Sequence, residues 1–208
     1  MKVFFCFASI IWLLSSCTFR QSYSFDEDLS GTYTVEADMS AMIAMVGDEE
    51  SISMLDSIDT DSLKEAMNSM EGIDKTFITE EGGVLTIGYE FDDLNSLNTA
   101  HENSDMAESL GNSVEVKRGD KPLFSMKRKK LTYNPPILNK DGLETEDLEG
   151  MEGMGEMMRY EVVMNFQEPV KKVYNDAWVI SNYGKTITFS ISLDELMEGN
   201  SGATVIKF

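Results

Sequence analysis

Apolar residues recur along this chain with two different spacings, and each change of spacing marks an element. Alternation comes first at residues 31–37, where Tyr33, Val35 and Ala37 share one face of a strand. Between positions 39 and 70 the spacing lengthens to three and four, through Met42, Ile43 and Met45, then Ile52, Leu55, Ile58, Leu63, Ala66, Met67 and Met70. That predicts helix, broken near Gly47 and Asp48 and restarted at capping residues such as Ser51, Asp59 or Asp61. Residues 75–79 and 84–91 return to the strand period around Glu80-Glu81-Gly82-Gly83, a hairpin pattern. Asp92 or Asp93 then caps a helix with Leu94, Leu97 and Ala100 on its apolar face.

A second hairpin is read at 114–117 and 123–132, turning at Gly119-Asp120 and stopped by Asn134-Pro135-Pro136. Residues 139–158, rich in Glu, Gly and Met, have too few apolar positions to order themselves and read as a mobile loop. The last third is strand at 160–166, 177–180, 186–192 and 203–208, with a turn at Asn182-Tyr183-Gly184 and one helical turn at 193–197. Strands in runs, with helices inserted between them, predict an α+β domain: a largely antiparallel sheet with two or three helices packed on one face.

The segment ahead of these elements has a different character. Lys2 precedes 12 residues, 3–14, dominated by Phe, Ile, Leu and Trp, after which Ser15 and Ser16 lead into Cys17. A membrane-crossing helix needs roughly 20 apolar residues, so this run fits a secretory signal rather than a permanent span. Leu14-Ser15-Ser16-Cys17 resembles the lipobox of bacterial lipoproteins. The resemblance implies that Cys17 is acylated and becomes the first residue after cleavage, with palmitate-type chains holding the protein on a membrane. Residues 18–28 are polar and acidic and read, with Cys17, as a tether over 17–28, which leaves one domain over 29–208.

Two further strings carry weaker likenesses. Residues 30–40, with Tyr89-Glu90-Phe91-Asp92-Asp93-Leu94 further on, resemble a group of uncharacterised Bacteroidota lipoproteins; residues 180–189 are faintly similar to LppM-like lipoproteins. Neither likeness implies an activity. Thr18 is not the aspartate that retains lipoproteins on an inner membrane, so the expected location is the outer membrane, facing the periplasm.

Cleavage removes Cys6 and acylation occupies Cys17, which excludes thiol catalysis and disulfides. A formal charge of −20 repels phosphate backbones and argues against nucleic acid as a partner. The one histidine, His101, cannot build a multi-imidazole zinc site and reads as a solvated surface residue. Pairs such as Asp59 with Asp61, or Asp92 with Asp93, could serve a carboxylate-dependent hydrolase of envelope glycans, but among 37 acids helix capping explains them more simply. Asn139, Asp141, Glu144, Glu146 and Asp147 offer hard oxygens for a calcium-stabilised structural module, without EF-hand spacing. Trp178 is assigned to the sheet core.

The expected function is therefore a non-enzymatic binding or interaction module without a cofactor or metal, engaging an envelope protein or a hydrophobic ligand. Two patches are candidates for the contact. One is the soft, adaptable cluster Met151, Met154, Met157 and Met158. The other is the basic run from Lys117 to Lys130, above all Lys127, Arg128, Lys129 and Lys130, suited to anionic head groups or an acidic partner. The plainer reading of these lysines is protection of an edge strand against aggregation.

Overall fold

The computed structural model describes residues 17–40, 60–102, 116–117, 121–135, 137–138, 158–200 and 202–208. It is an α+β fold built on a seven-stranded sheet. The strands of that sheet are β1 (Thr18–Phe25), β2 (Gly31–Asp38), β3 (Ile73–Glu81), β4 (Val84–Phe91), β9 (Arg159–Phe166), β11 (Trp178–Ser181) and β12 (Thr186–Ser192). They lie in the order β11-β12-β9-β1-β2-β4-β3. Every neighbouring pair is antiparallel except β1 and β9, which run parallel from Thr18 opposite Arg159 to Phe25 opposite Phe166.

Strand β1 corrects the expected tether. Residues 18–25 are not a linker but the middle strand of the sheet, hydrogen-bonded on both edges. Phe19, Tyr23 and Phe25 fall on the inward face of β1, and the latter two are buried. The apolar period is broken on that face by Gln21 alone, since Arg20, Ser22 and Ser24 belong to the opposite face, and one polar residue in a short run hides the alternation.

A second, four-stranded sheet lies over the inward face, in the order β10-β13-β7-β6. Its strands are β6 (Phe124–Lys127), β7 (Lys130–Tyr133), β10 (Lys172–Val173) and β13 (Thr204–Lys207), all antiparallel. Phe124 joins the sheets, its ring 4.9 Å from Tyr23 and 5.4 Å from Phe25, while Tyr133 meets Trp178 at 5.9 Å. Trp178 is buried as expected and donates its indole N–H to the Gly202 carbonyl at 2.8 Å. Each large ring so buried removes about 150–250 Å² from water, a major stabilising contribution to the fold.

The second hairpin also differs from expectation. Strand β5 (Val116–Lys117) pairs with β8 (Ile137–Leu138), not with the run that follows Gly119. Residues 123–132 do not form one strand; they fold on themselves as β6 and β7, with Lys127 opposite Lys130 and a two-residue turn at Arg128-Lys129. Arg128 takes φ +52 there, a turn conformation that ordinarily draws glycine or asparagine, which is why a run of four basic residues did not signal a turn.

Three α-helices lie among the described residues, α1 (Thr60–Asn68), α2 (Leu94–Glu102) and α3 (Leu193–Met197), with a 3-10 turn at Asn182–Gly184. Helix α1 buries Leu63 and Met67, and α2 buries Leu97 and Ala100, in the same core as the sheets. Asp93 caps α2, accepting from the Ser96 amide at 2.8 Å and its hydroxyl at 3.0 Å. Ser192 and Glu195 form a reciprocal capping box that starts α3. The helical residues expected at 42–58 lie outside the described residues.

Candidate functional site

Each expected site residue can be placed against this frame. Cys17 directly precedes β1, and its carbonyl accepts the Arg159 amide at 2.8 Å, so the cysteine joins the sheet without slack. Met151, Met154 and Met157 lie outside the described residues, as do Asn139, Asp141, Glu144, Glu146, Asp147 and Asp59. Met158 is half-buried, and its carbonyl accepts from the Leu193 amide at 2.9 Å.

His101 is half-buried, not the solvated surface residue expected. It lies in the last turn of α2 with its ring edge-on to Tyr33 at 4.6 Å and tilted to Tyr23 at 5.9 Å, against the aromatic core. The surrounding phenols are held neutral by burial: Tyr23 is pushed well above its ordinary value and Tyr160 up to about 12, with the Tyr133 hydroxyl pulling Tyr160 the other way. Asp93 is drawn below the carboxylate norm by the Ser96 amide and hydroxyl it accepts from. These candidate acid–base groups are therefore engaged in packing and capping. Among the described residues no three His, Cys, Asp or Glu side chains cluster as metal ligands would.

The two sheets treat cations in opposite ways. On the open face of the large sheet, Arg20 sits opposite Glu36 on β2 and Glu161 on β9, and pairs with both, at 3.2 Å and 2.5 Å. Lys75 likewise meets Glu90 at 2.8 Å. On the small sheet, Lys172 is opposite Lys207, Lys207 opposite Lys130, and Lys130 opposite Lys127. Because directly opposed residues share a face, four lysines make one rung across all four strands. Buried Leu131 and Ile206 fix the other face as the inward one, so the rung faces out, and all four lysines are exposed.

None of these four forms an ion pair among the described residues. Two of them lie over the ring of Tyr174, with the Lys172 Nζ 4.7 Å and the Lys130 Nζ 5.6 Å from its centroid. A shallow depression lined by Lys127, Arg128, Lys130, Thr132 and Val205 runs along this face. Lys127 and Lys130 were legible as a basic run; Lys172 and Lys207 were not, because only strand pairing brings them there.

The rung also has a definite position relative to Cys17. Lys129 shares a cleft with Asp26, Leu29, Phe166 and Phe208, beyond the Phe25 end of β1. Phe208, next to Lys207, packs its ring 5.0 Å from Phe166. Eight residues of β1, at about 3.3 Å each, separate that end from Cys17 by roughly 25 Å.

No protein-family model and no curated protein matches the sequence. Among solved structures, the chain is similar to the NMR structure of the folded domain of the Mycobacterium tuberculosis LppM protein. The similarity spans 92% of this chain and 88% of that one, at 12% identity and a TM-score of 0.45.

Proposed function

We propose that this chain is an envelope lipoprotein, cleaved ahead of Cys17, acylated on that thiol, and held at a membrane surface as a non-enzymatic binding module. The observation that carries the reading is the junction at Cys17. The signal-like residues 1–16 and the lipobox end on the residue that precedes the central strand, so cleavage there leaves the whole described fold intact. Acyl chains on Cys17 would then insert beneath one end of the sheet, with two or more chains needed for firm anchoring. The outer membrane, with the domain facing the periplasm, is the location this reading assigns. The binding half of the proposal is supported by where the candidate acid–base groups are spent, His101 against the aromatic core and Asp93 on a helix cap, and by the row of four exposed lysines that makes no ion pair among the described residues.

Growth of expressing bacteria with an alkyne analogue of palmitate tests the anchor. The full chain is expected to take up the label and sediment with membranes, and Cys17→Ala to lose both properties. A Cys17→Ala chain that is still labelled, or a wild-type chain that is not, overturns the acylation.

A further inference from the structure

We infer that the lysine rung Lys172-Lys207-Lys130-Lys127 is a binding site for an anionic polysaccharide. The inference rests on the reading of the domain as a binding module, and names what that module takes.

Four like charges in directly opposed positions are unfavourable to the sheet that carries them. Edge protection accounts for lysines on edge strands, and so for Lys127 on β6 and Lys172 on β10. It does not account for Lys130 and Lys207, which sit on the two interior strands, β7 and β13. The chain has acids in excess, 37 against 17 basic residues, and on the large sheet it sets acids opposite its cross-strand cation. On the small sheet it sets none.

The shape of the site selects the ligand. Neighbouring strands lie about 4.8 Å apart, so the rung is a straight line of charge roughly 14 Å long. A linear polymer with an acidic group on successive sugar units can follow such a line. Tyr174, half exposed beside the rung, holds Lys130 and Lys172 over its ring and offers an aromatic edge to a sugar. Lipid head groups of the anchoring membrane are the poorer match, because the rung stands near the end of the sheet that Cys17 does not occupy.

The test uses the full chain in detergent and immobilised polygalacturonate, a linear carboxylated glycan, with poly-glutamate and phosphatidylglycerol vesicles as the competing chemistries. Wild type is expected to bind polygalacturonate at low ionic strength and to be released as salt rises, since the rung is exposed. K130Q/K207Q is expected to weaken binding about tenfold, whereas K64Q/K75Q, the same charge change on α1 and β3, leaves it within about twofold. K127Q/K172Q repeats the reading on the edge strands alone, and thermal melts of each variant establish folding. Absence of polygalacturonate binding, binding insensitive to both rung variants, or tighter rung-dependent binding to poly-glutamate or to the vesicles overturns the inference. Binding by Cys17→Ala separates it from acylation: either property can fail with the other intact.

Discussion

The amide of Arg159 donates to the carbonyl of Cys17 at 2.8 Å, which fastens the proposed anchor residue to a strand more than a hundred residues away in sequence. Strand β1 continues from this bond along the whole length of β9. Removing residues 18–25 is therefore expected to abolish cooperative unfolding, as followed by circular dichroism on heating. A melt unchanged by the deletion would return those residues to the role of a tether.

Gly31 opens β2 opposite Phe25, where the chain has just reversed. A Cβ placed on it would stand 1.8 Å from the backbone oxygen of Ser24, which cannot move without breaking the β1–β2 pairing. Gly31→Ala is expected to cost about 2–4 kcal/mol in urea denaturation. Gly82, at φ +62 in the β3–β4 turn with nothing within 4 Å of an added Cβ, is the control and is expected to cost about 1–2 kcal/mol from its backbone alone.

Asp93 supplies an acid-sensitive contribution. Its folded value is depressed by the Ser96 amide and hydroxyl, so the stabilisation is complete above the ordinary carboxylate value and is lost as pH falls through the depressed one. Asp93→Ala is expected to lower stability by about 1 kcal/mol at neutral pH. Urea midpoints of variant and wild type should converge as the pH drops below 3.8, the ordinary aspartate value.

Tyr160 acts at the other extreme of pH. Its folded value, about 12, exceeds the ordinary 10.0, so its contribution is fully present below pH 10 and is lost as pH rises towards 12. Between those limits wild-type stability is expected to fall by about 1.4 kcal/mol per pH unit for this phenol. Tyr160→Phe should show a shallower alkaline decline, measured by urea midpoints from pH 9 to 12.

Much of the fold was legible because its signals are local. Tyr33 and Val35 alternate within one strand, Asp93 caps three residues from Ser96, and the two glycines at 82 and 83 lie between the strands they connect. What was not legible depends on partners remote in sequence. Phe19, Tyr23 and Phe25 become a central strand only when β9 and β2 flank them, and the second sheet is assembled from four short strands taken from residues 124–207. The same distance hid half of the candidate site: Lys127 and Lys130 are neighbours in the chain, but Lys207 and Lys172 reach them only through the pairing of β13 with β7 and β10. His101 was misplaced because a polar stretch of helix gives no sign that its last turn lies against Tyr33.

The parallel pairing of β1 with β9 also sets the order in which the protein can come into being. A chain that emerges from its N-terminus presents Thr18–Phe25 first, yet one side of that strand has no partner until Arg159–Phe166 has followed. Contacts of such wide sequence separation close slowly. The hairpin of β1 and β2 can therefore form early, but the central sheet closes only once residues 159–166 are available, so one edge of β1 waits for the last third of the chain.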